Sequence, residues 1–254
     1  MNLNERQEAI LEELRTRKIC TVRELNNGID ASNATIQRDL KKLEDFGHIS
    51  RVHGSVVLNE TRKPEHNIDN RLVKNKEKKI EIAKKAVEFI EDETSIFLDH
   101  SSTCAYLARA ISSKSYRHIV LVTNSLLIAN ELQGKRYIDL ILAGGDVQHS
   151  WSATKGPHAL DIISKFNFDQ TFISCGMFSV ERGARTNYSF VAEITKKACE
   201  SALEVNLLVD SSKFMKAGAF LIRKTSALNR IVTDQDLNPK IIDIFKKLDT
   251  KLII

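Results

Sequence analysis

Four polar clusters in the later part of the chain have the residue types of an anion-binding surface. They are Asp99-His100-Ser101-Ser102-Thr103, Thr123-Asn124-Ser125, Gly144-Gly145-Asp146 and Asp210-Ser211-Ser212-Lys213. In the first, hydroxyls and backbone N–H groups precede a helix start, an arrangement that attracts negative charge. In the third, missing side chains let backbone N–H groups approach a ligand closely. In the fourth, Lys213 can neutralise a phosphate. A further cation, Arg185, either recruits a second anionic group or lies at the surface. Each cluster alone is also what a turn or a helix cap requires. Four of them in series point to a bound small molecule. Asp99, Asp146 and Asp210 open an alternative, an enzyme that moves a proton between adjacent carbons, because such chemistry needs a placed carboxylate base.

A second set of residues suits base and phosphate recognition. Asn33, Gln37, Arg38 and Lys41 point away from the apolar stripe of Ile36, Leu40 and Leu43 on one helix. Asn and Gln pair bidentately with adenine and Arg with guanine, so these types suit direct readout in a major groove. Ser32 and Thr35 at the helix start suit phosphate contacts, and Arg51 and His53 suit phosphates or the minor groove. A solvated helix face has the same composition, so it is the order of elements that favours DNA.

Those elements follow from periodicity and punctuation. A helix carries Leu3, Ile10, Leu11 and Leu14; Thr21 caps a short second helix ending near Gly28; Ser32 caps a third that ends at Gly47. The stretch HISRVHGSVVL reads as a hairpin around His53-Gly54. Three helices and a hairpin make a winged helix-turn-helix over residues 1–58. Residues 59–75 are polar, contain Pro64 and lack a period, and read as a linker, with Leu72 able to dock on either neighbour. From residue 76 to 254, apolar runs alternate with amphipathic helices, which indicates an α/β domain with a mostly parallel sheet. Every candidate ligand residue then lies where a strand gives way to a turn, the place where open parallel sheets bind ligands.

Composition narrows the classes further. The net charge of +5 permits nucleic-acid binding without requiring it, but Arg38, Lys41, Lys42 and Arg51 form a local basic stripe. Cys20, Cys104, Cys175 and Cys199 lack the close pairing of zinc sites, so no metal or cofactor is expected, and they read as buried thiols in a reducing compartment. No apolar run reaches membrane-spanning length and the start of the chain is charged, so a cytoplasmic location without membrane contact is expected.

The residues also carry a family likeness. Arg6, Ile10 and Leu14, then Ser32, Thr35, Ile36, Arg38, Asp39 and Leu40, resemble the DNA-binding signature of the DeoR family of bacterial regulators, and RVHGS resembles its RVHGG wing. The series D-x-x-S-T, T-N-S, G-G and D-S-S-K-F resembles that family's effector domain, which is related in fold to ribose-5-phosphate isomerases. The likeness implies a transcription regulator of carbohydrate metabolism, a repressor, acting on a double-stranded DNA operator. It also implies a phosphorylated sugar or related effector, and a homo-oligomer, dimer or tetramer, without catalysis. By matching position, Ser102 and Thr103 would hold phosphate, Asn124 and Gly144 would line the pocket, and Lys213 would meet the ligand's charge. Asp99, Ser101, Ser125 and Gly145 complete the expected set. Three departures stand out: Gln37 where the family carries Arg or His, Ser101 where it carries Gly, and Arg182–Thr186 in place of G-L-T. They suggest a changed operator preference and an unusual or weakened effector site. Two alternatives stay open, a constitutive DNA-binding regulator with a degenerate pocket and a sugar-phosphate isomerase.

Overall fold

The computed structural model describes residues 5–17, 19–45, 48–52, 54–58, 67–216 and 218–254. Leu3, Gly47 and His53 lie outside the described residues. The chain divides into two compact units, Met1–Asn70 and Arg71–Ile254.

In the first unit, α1 (Glu5–Arg17) is followed by β1 (Ile19–Thr21), α2 (Val22–Gly28) and α3 (Asn33–Asp45). The hairpin strands β2 (Ile49–Val52) and β3 (Ser55–Leu58) come next. Ile10, Leu14, Leu25, Ile36, Leu40 and Leu43 form one buried core, as the helical spacing requires. Thr21 caps α2 in a reciprocal box: its hydroxyl accepts from Glu24 N at 3.2 Å while Glu24 Oε2 accepts from Thr21 N at 2.7 Å. Strand β1 is not legible in the sequence. It turns only Cys20 inward and pairs antiparallel with β3, making the wing a three-stranded sheet.

The second unit begins inside the stretch expected to be linker. Residues 68–73 form helix α4 (Ile68–Val73), started by Asn67, whose Oδ1 accepts from Asp69 N at 3.0 Å. Its last carbonyls find partners in the larger unit. Tyr106 Oη donates to Leu72 O at 3.0 Å, and Lys79 Nζ donates to the carbonyls of Arg71 and Lys74. Residues 71–75 are therefore docked, which corrects the C-terminal end of the expected linker. A short segment without helical period is still ordered when its end carbonyls are captured.

Beyond it run α5 (Lys76–Ala86), β4 (Thr94–Leu98), α6 (Ser102–Ser112), β5 (Ile119–Thr123), α7 (Leu126–Leu132) and β6 (Ile138–Leu142). A small hairpin, β7 (Asp146–Gln148) and β8 (Ala153–Lys155), precedes α8 (Pro157–Ser164) and β9 (Phe168–Ile173). Then come β10 (Met177–Ser179), β11 (Gly183–Thr186), α9 (Ser189–Glu200), β12 (Ala202–Leu208) and β13 (Phe220–Arg223), followed by β14 (Arg230–Val232), α10 (Pro239–Phe245) and β15 (Lys251–Ile253). Seven strands form a parallel sheet in the order β15-β14-β12-β9-β4-β5-β6. Strand β13 instead joins β10 and β11 in a separate antiparallel sheet. Side chains alternate across the main sheet. Ile96 and Leu98 pack with residues of α5, α6 and α7, whereas Phe97 packs with residues of α8 and α9. From β4 the chain proceeds to β5 and β6 on one side, then returns to β9 on the other. That reversal leaves a crevice at the carboxyl ends of β4 and β9.

Candidate functional site

Asp99 closes the floor of this crevice. It is buried, and its two oxygens accept from Ser101 N at 2.9 Å and from Ser174 N at 2.8 Å, which ties the end of β4 to the end of β9. Both oxygens are therefore engaged by backbone, so Asp99 acts as a positioning group. Ser101 caps α6 by accepting from Cys104 N at 3.1 Å, with its backbone at φ −73°. The conformation makes no demand for glycine at this position, and the hydroxyl is turned onto the helix start. The first-turn N–H groups of Ser102 and Thr103 have no partner among the described residues, and both residues are buried.

The second turn joins the first. Thr123 Oγ1 donates to Leu98 O at 2.8 Å, and Ser125 caps α7 by accepting from Ile128 N at 3.3 Å. Asn124 Nδ2 donates to Thr154 O at 2.9 Å and reaches His100 Nδ1 at 3.5 Å. Because Thr154 O fixes the amide, His100 Nδ1 accepts and the imidazole proton lies on Nε2. Burial pushes the His100 pKa down to about 4; Arg71 adds to this, while the Asp99 carboxylate opposes it. The ring is neutral at pH 7.

In the fourth turn, Lys213 Nζ donates to Ser174 Oγ at 3.3 Å and lies 3.7 Å from Asp210 Oδ2. Asp210 Oδ1 accepts from Asn75 Nδ2 at 3.1 Å and from Ser212 N at 3.2 Å. Burial alone would raise the Asp210 pKa, yet Lys213, Ser212, Lys79 and Asn75 together hold it below its ordinary value. The third turn is held more loosely. Gly145 has φ +149°, and a Cβ there would lie 2.6 Å from Lys155 O, so its glycine serves the β7–β8 hairpin. At Gly144 a Cβ would meet open space. Arg185 is not brought to the cluster. Its guanidinium donates to the carbonyls of Gly218 at 2.7 Å, Ala219 at 3.1 Å and Arg182 at 3.4 Å, on the antiparallel sheet.

The sequence reading missed a group of residues that complete this site. The Arg71 guanidinium carbon lies 4.5 Å from the Trp151 ring centroid, and burial lowers its pKa, with Asp99 the chief opposing charge. Lys79 is buried, and burial with the neighbouring Lys213 pushes its pKa down to about 7 against Asp210. Trp151 also meets His100 at 5.4 Å, Phe190 at 5.4 Å and Tyr188 at 4.9 Å. The available signals were a cation in a segment that looked like linker and the single tryptophan of the chain in a polar turn. Three atoms of the assembly, Arg71 Nη1, Thr103 Oγ1 and Asn124 Oδ1, are buried with no hydrogen-bond partner among the described residues. No group of three or more metal-ligating side chains occurs among the described residues.

The first unit presents a contrasting surface. Asp39 is buried and paired by Arg6 and by Gln7 Nε2 at 3.1 Å, bolting α1 to α3. Ser32 accepts from Thr35 N at 3.3 Å and contacts the Thr35 hydroxyl at 2.8 Å. Asn33 Oδ1 accepts from Asn26 Nδ2 at 3.0 Å. Arg38 and Lys41 are exposed, with no side-chain partner among the described residues. Arg51 lies along α3: Nη1 donates to Gln37 Oε1 at 2.9 Å and Nε is 3.2 Å from Glu44. His53 lies outside the described residues.

A winged helix-turn-helix with a free cationic recognition helix, followed by a separate parallel α/β unit, defines a DNA-binding transcription regulator. Residues 6–62 match the DeoR-like helix-turn-helix domain and residues 74–235 match the DeoR C terminal sensor domain. The chain belongs to the DeoR family. It is 31% identical over 255 residues to the lactose phosphotransferase system repressor of Lactococcus lactis subsp. lactis, covering 99% of each chain. It is 26% identical to a putative aga operon transcriptional repressor of Escherichia coli O157:H7, covering 99% of this chain and 93% of the relative. It is also 30% identical to the uncharacterized HTH-type transcriptional regulator YulB of Bacillus subtilis (strain 168), covering 94% and 92%. Among solved structures, ribose 5-phosphate isomerase A from Methanocaldococcus jannaschii aligns with 56% of this chain and 56% of its own, at 20% identity and a TM-score of 0.42. No helix among the described residues is long and apolar enough to cross a membrane.

Proposed function

We propose that this regulator is a repressor of carbohydrate metabolism whose grip on a DNA operator is set by a phosphorylated sugar or a closely related anion bound at the β4–β9 crevice. The observation that carries this reading is the set of buried polar atoms without partners, Arg71 Nη1, Thr103 Oγ1 and Asn124 Oδ1. Each such atom costs about 1–3 kcal/mol when left unpaired. A ligand bearing an anion and hydroxyls satisfies donors and acceptors together. The N–H groups of Ser102 and Thr103, with Arg71 and Lys213, suit the anion. Asn124 Oδ1 suits a hydroxyl, and Asp99, Ser101 and Ser125 hold the frame. Gly144 borders the site, whereas Gly145 and Arg185 serve the fold. The name of the lactose phosphotransferase system relative supports the carbohydrate class.

On the DNA side, Arg38, Lys41, Asn33 and Gln37 face the bases, and Ser32, Thr35 and Arg51 face phosphates. Two such heads at fixed spacing require a homo-oligomer, a dimer or tetramer. The effector shifts operator affinity only by its difference in affinity between two arrangements of the heads. The test is operator binding to fragments upstream of the protein's own gene, titrated with sugar phosphates at fixed salt. One compound is expected to change operator affinity about fivefold or more. Specific DNA binding that no phosphorylated sugar alters, together with an unshifted melting temperature, would overturn the effector reading.

A further inference from the structure

We propose that His100 is a specificity-determining residue of the effector site, donating its Nε2 proton to an uncharged oxygen of a ligand whose C–H face lies against Trp151 and Phe190. This rests on the crevice being the effector site.

His100 is buried, and ring contacts to Trp151 at 5.4 Å and Phe190 at 6.1 Å wall it in. Asn124 Nδ2 engages its Nδ1, while its Nε2 has no partner among the described residues. Asn124 cannot rotate to change this, because the same amide donates to Thr154 O. The site therefore offers an unpartnered acceptor, Asn124 Oδ1, together with a neutral donor, His100 Nε2. A neutral donor and an acceptor read hydroxyl or carbonyl oxygens, whereas the phosphate is better served by Arg71, Lys213 and the start of α6.

The aromatic wall adds the second element. Trp151 is nearly fully buried within ring contacts to His100, Tyr188 and Phe190 and a guanidinium contact to Arg71. Aromatic rings with polar groups at their margin suit a ligand with one C–H face and a polar edge, as in the ring form of a sugar. The site thus has an anion-holding end and a ring-reading end, and His100 belongs to the second. A site built to hydrogen-bond a hydroxyl strongly rejects an analogue lacking it, because its own groups are then left unpaired.

Trp151 is the only tryptophan in the chain, so its emission reports the site directly. The probes are ribose 5-phosphate, fructose 6-phosphate, glucose 6-phosphate, glucosamine 6-phosphate, glycerol 3-phosphate and inorganic phosphate, followed by Trp151 fluorescence and by thermal shift. In the wild type, a ring-forming sugar phosphate is expected to bind at least about tenfold more tightly than glycerol 3-phosphate or inorganic phosphate. His100→Phe keeps the ring and removes the donor. It should weaken the sugar phosphate about tenfold while leaving inorganic phosphate affinity unchanged. His100→Gln restores a neutral donor and should recover a large part of the loss, with cooperative melting checking that both variants fold. If His100→Phe binds the sugar phosphate with wild-type affinity and selectivity, His100 has no such role and the effector reading survives. If glycerol 3-phosphate binds the wild type as tightly as any sugar, the ring-reading end is refuted. If no probe moves fluorescence or melting temperature in the wild type, the effector reading falls and takes this inference with it.

Discussion

On the outer face of α3, Arg38 and Lys41 stand in water without partners among the described residues, whereas at the β4–β9 crevice Asp99, His100, Thr103 and Asn124 are buried. The two surfaces obey different physics. An exposed cation costs the fold almost nothing, and its attraction to phosphate is long-ranged and weakened by salt. A buried polar group must be partnered within the fold or by a ligand, so its demands are short-ranged and directional. Substitution on the first surface should change binding with little effect on stability. On the second it should change both.

The largest effect is expected at Asp99. Asp99→Ala leaves the N–H groups of Ser101 and Ser174 without acceptors at the meeting of β4 and β9. The larger unit should lose about 3–5 kcal/mol, measured by denaturant unfolding followed through Trp151. Asp99→Asn keeps one acceptor and should lose less. A loss below about 1 kcal/mol for the alanine variant would mean that the carboxylate does not hold the crevice together.

Next in size is the pH response of His100. Its folded pKa of about 4 lies below the ordinary value of 6.5, so between the two the unfolded chain binds the proton and the folded chain does not. Stability is then fully present above about pH 6.5 and lost as the pH falls towards 4, by roughly 3 kcal/mol in total. Arg71 and Asp99 are the charges that bear on the ring, and they pull in opposite directions. Asp210, held below its ordinary value, contributes only at lower pH. The stability profile of His100→Gln should be flatter between pH 6.5 and 4 than that of the wild type, and parallel profiles would show that burial of the imidazole is not what the folded state resists.

Arg38→Ala comes third. Operator affinity should fall by about 1–3 kcal/mol, and most at one base position. The melting temperature should stay within the range of ordinary surface changes. Wild-type affinity and specificity would remove Arg38 from the reading set. A large stability loss would erase the contrast between the surfaces.

The same contrast explains how much was legible in the chain. Ile36, Leu40 and Leu43 announce α3 by spacing, and Thr21 and Ser32 announce the caps of α2 and α3, because these relations span at most one or two helical turns. The apolar runs of β4, β5 and β9 give the parallel sheet for the same reason. The crevice draws instead on Arg71, Lys79, His100, Trp151, Phe190 and Lys213, which are adjacent only once the strand order is known. Strand-end turns at Asp99, Asn124 and Lys213 could be found, since strands were visible and their carboxyl ends are where ligands go. Arg71 and Asn75 could not, because a polar segment without period looks the same whether it is solvated or docked. Strand β13 shows the complementary limit: Phe220–Arg223 looks like any short strand, and only pairing with β11 places it outside the main sheet.

The smallest effect is expected at Arg51, where the comparison is most easily refined. Its guanidinium already bridges Gln37 and Glu44 on the exposed side of α3, and exposed pairs of this kind contribute only about 0–1 kcal/mol. Arg51→Ala should therefore leave stability nearly unchanged. Its consequence for DNA depends on whether the guanidinium exchanges those partners for a phosphate. If it does, the slope of log affinity against log salt should shrink by about 0.9, the value of one released counterion. An unchanged slope would make Arg51 a tether between wing and recognition helix and remove it from the DNA-contacting set. Gln37→Ala separates the cases further, because it frees Arg51 from one partner without altering charge. A steeper slope in that variant would show that Gln37, where the recognition helix departs from the family pattern, restrains the wing.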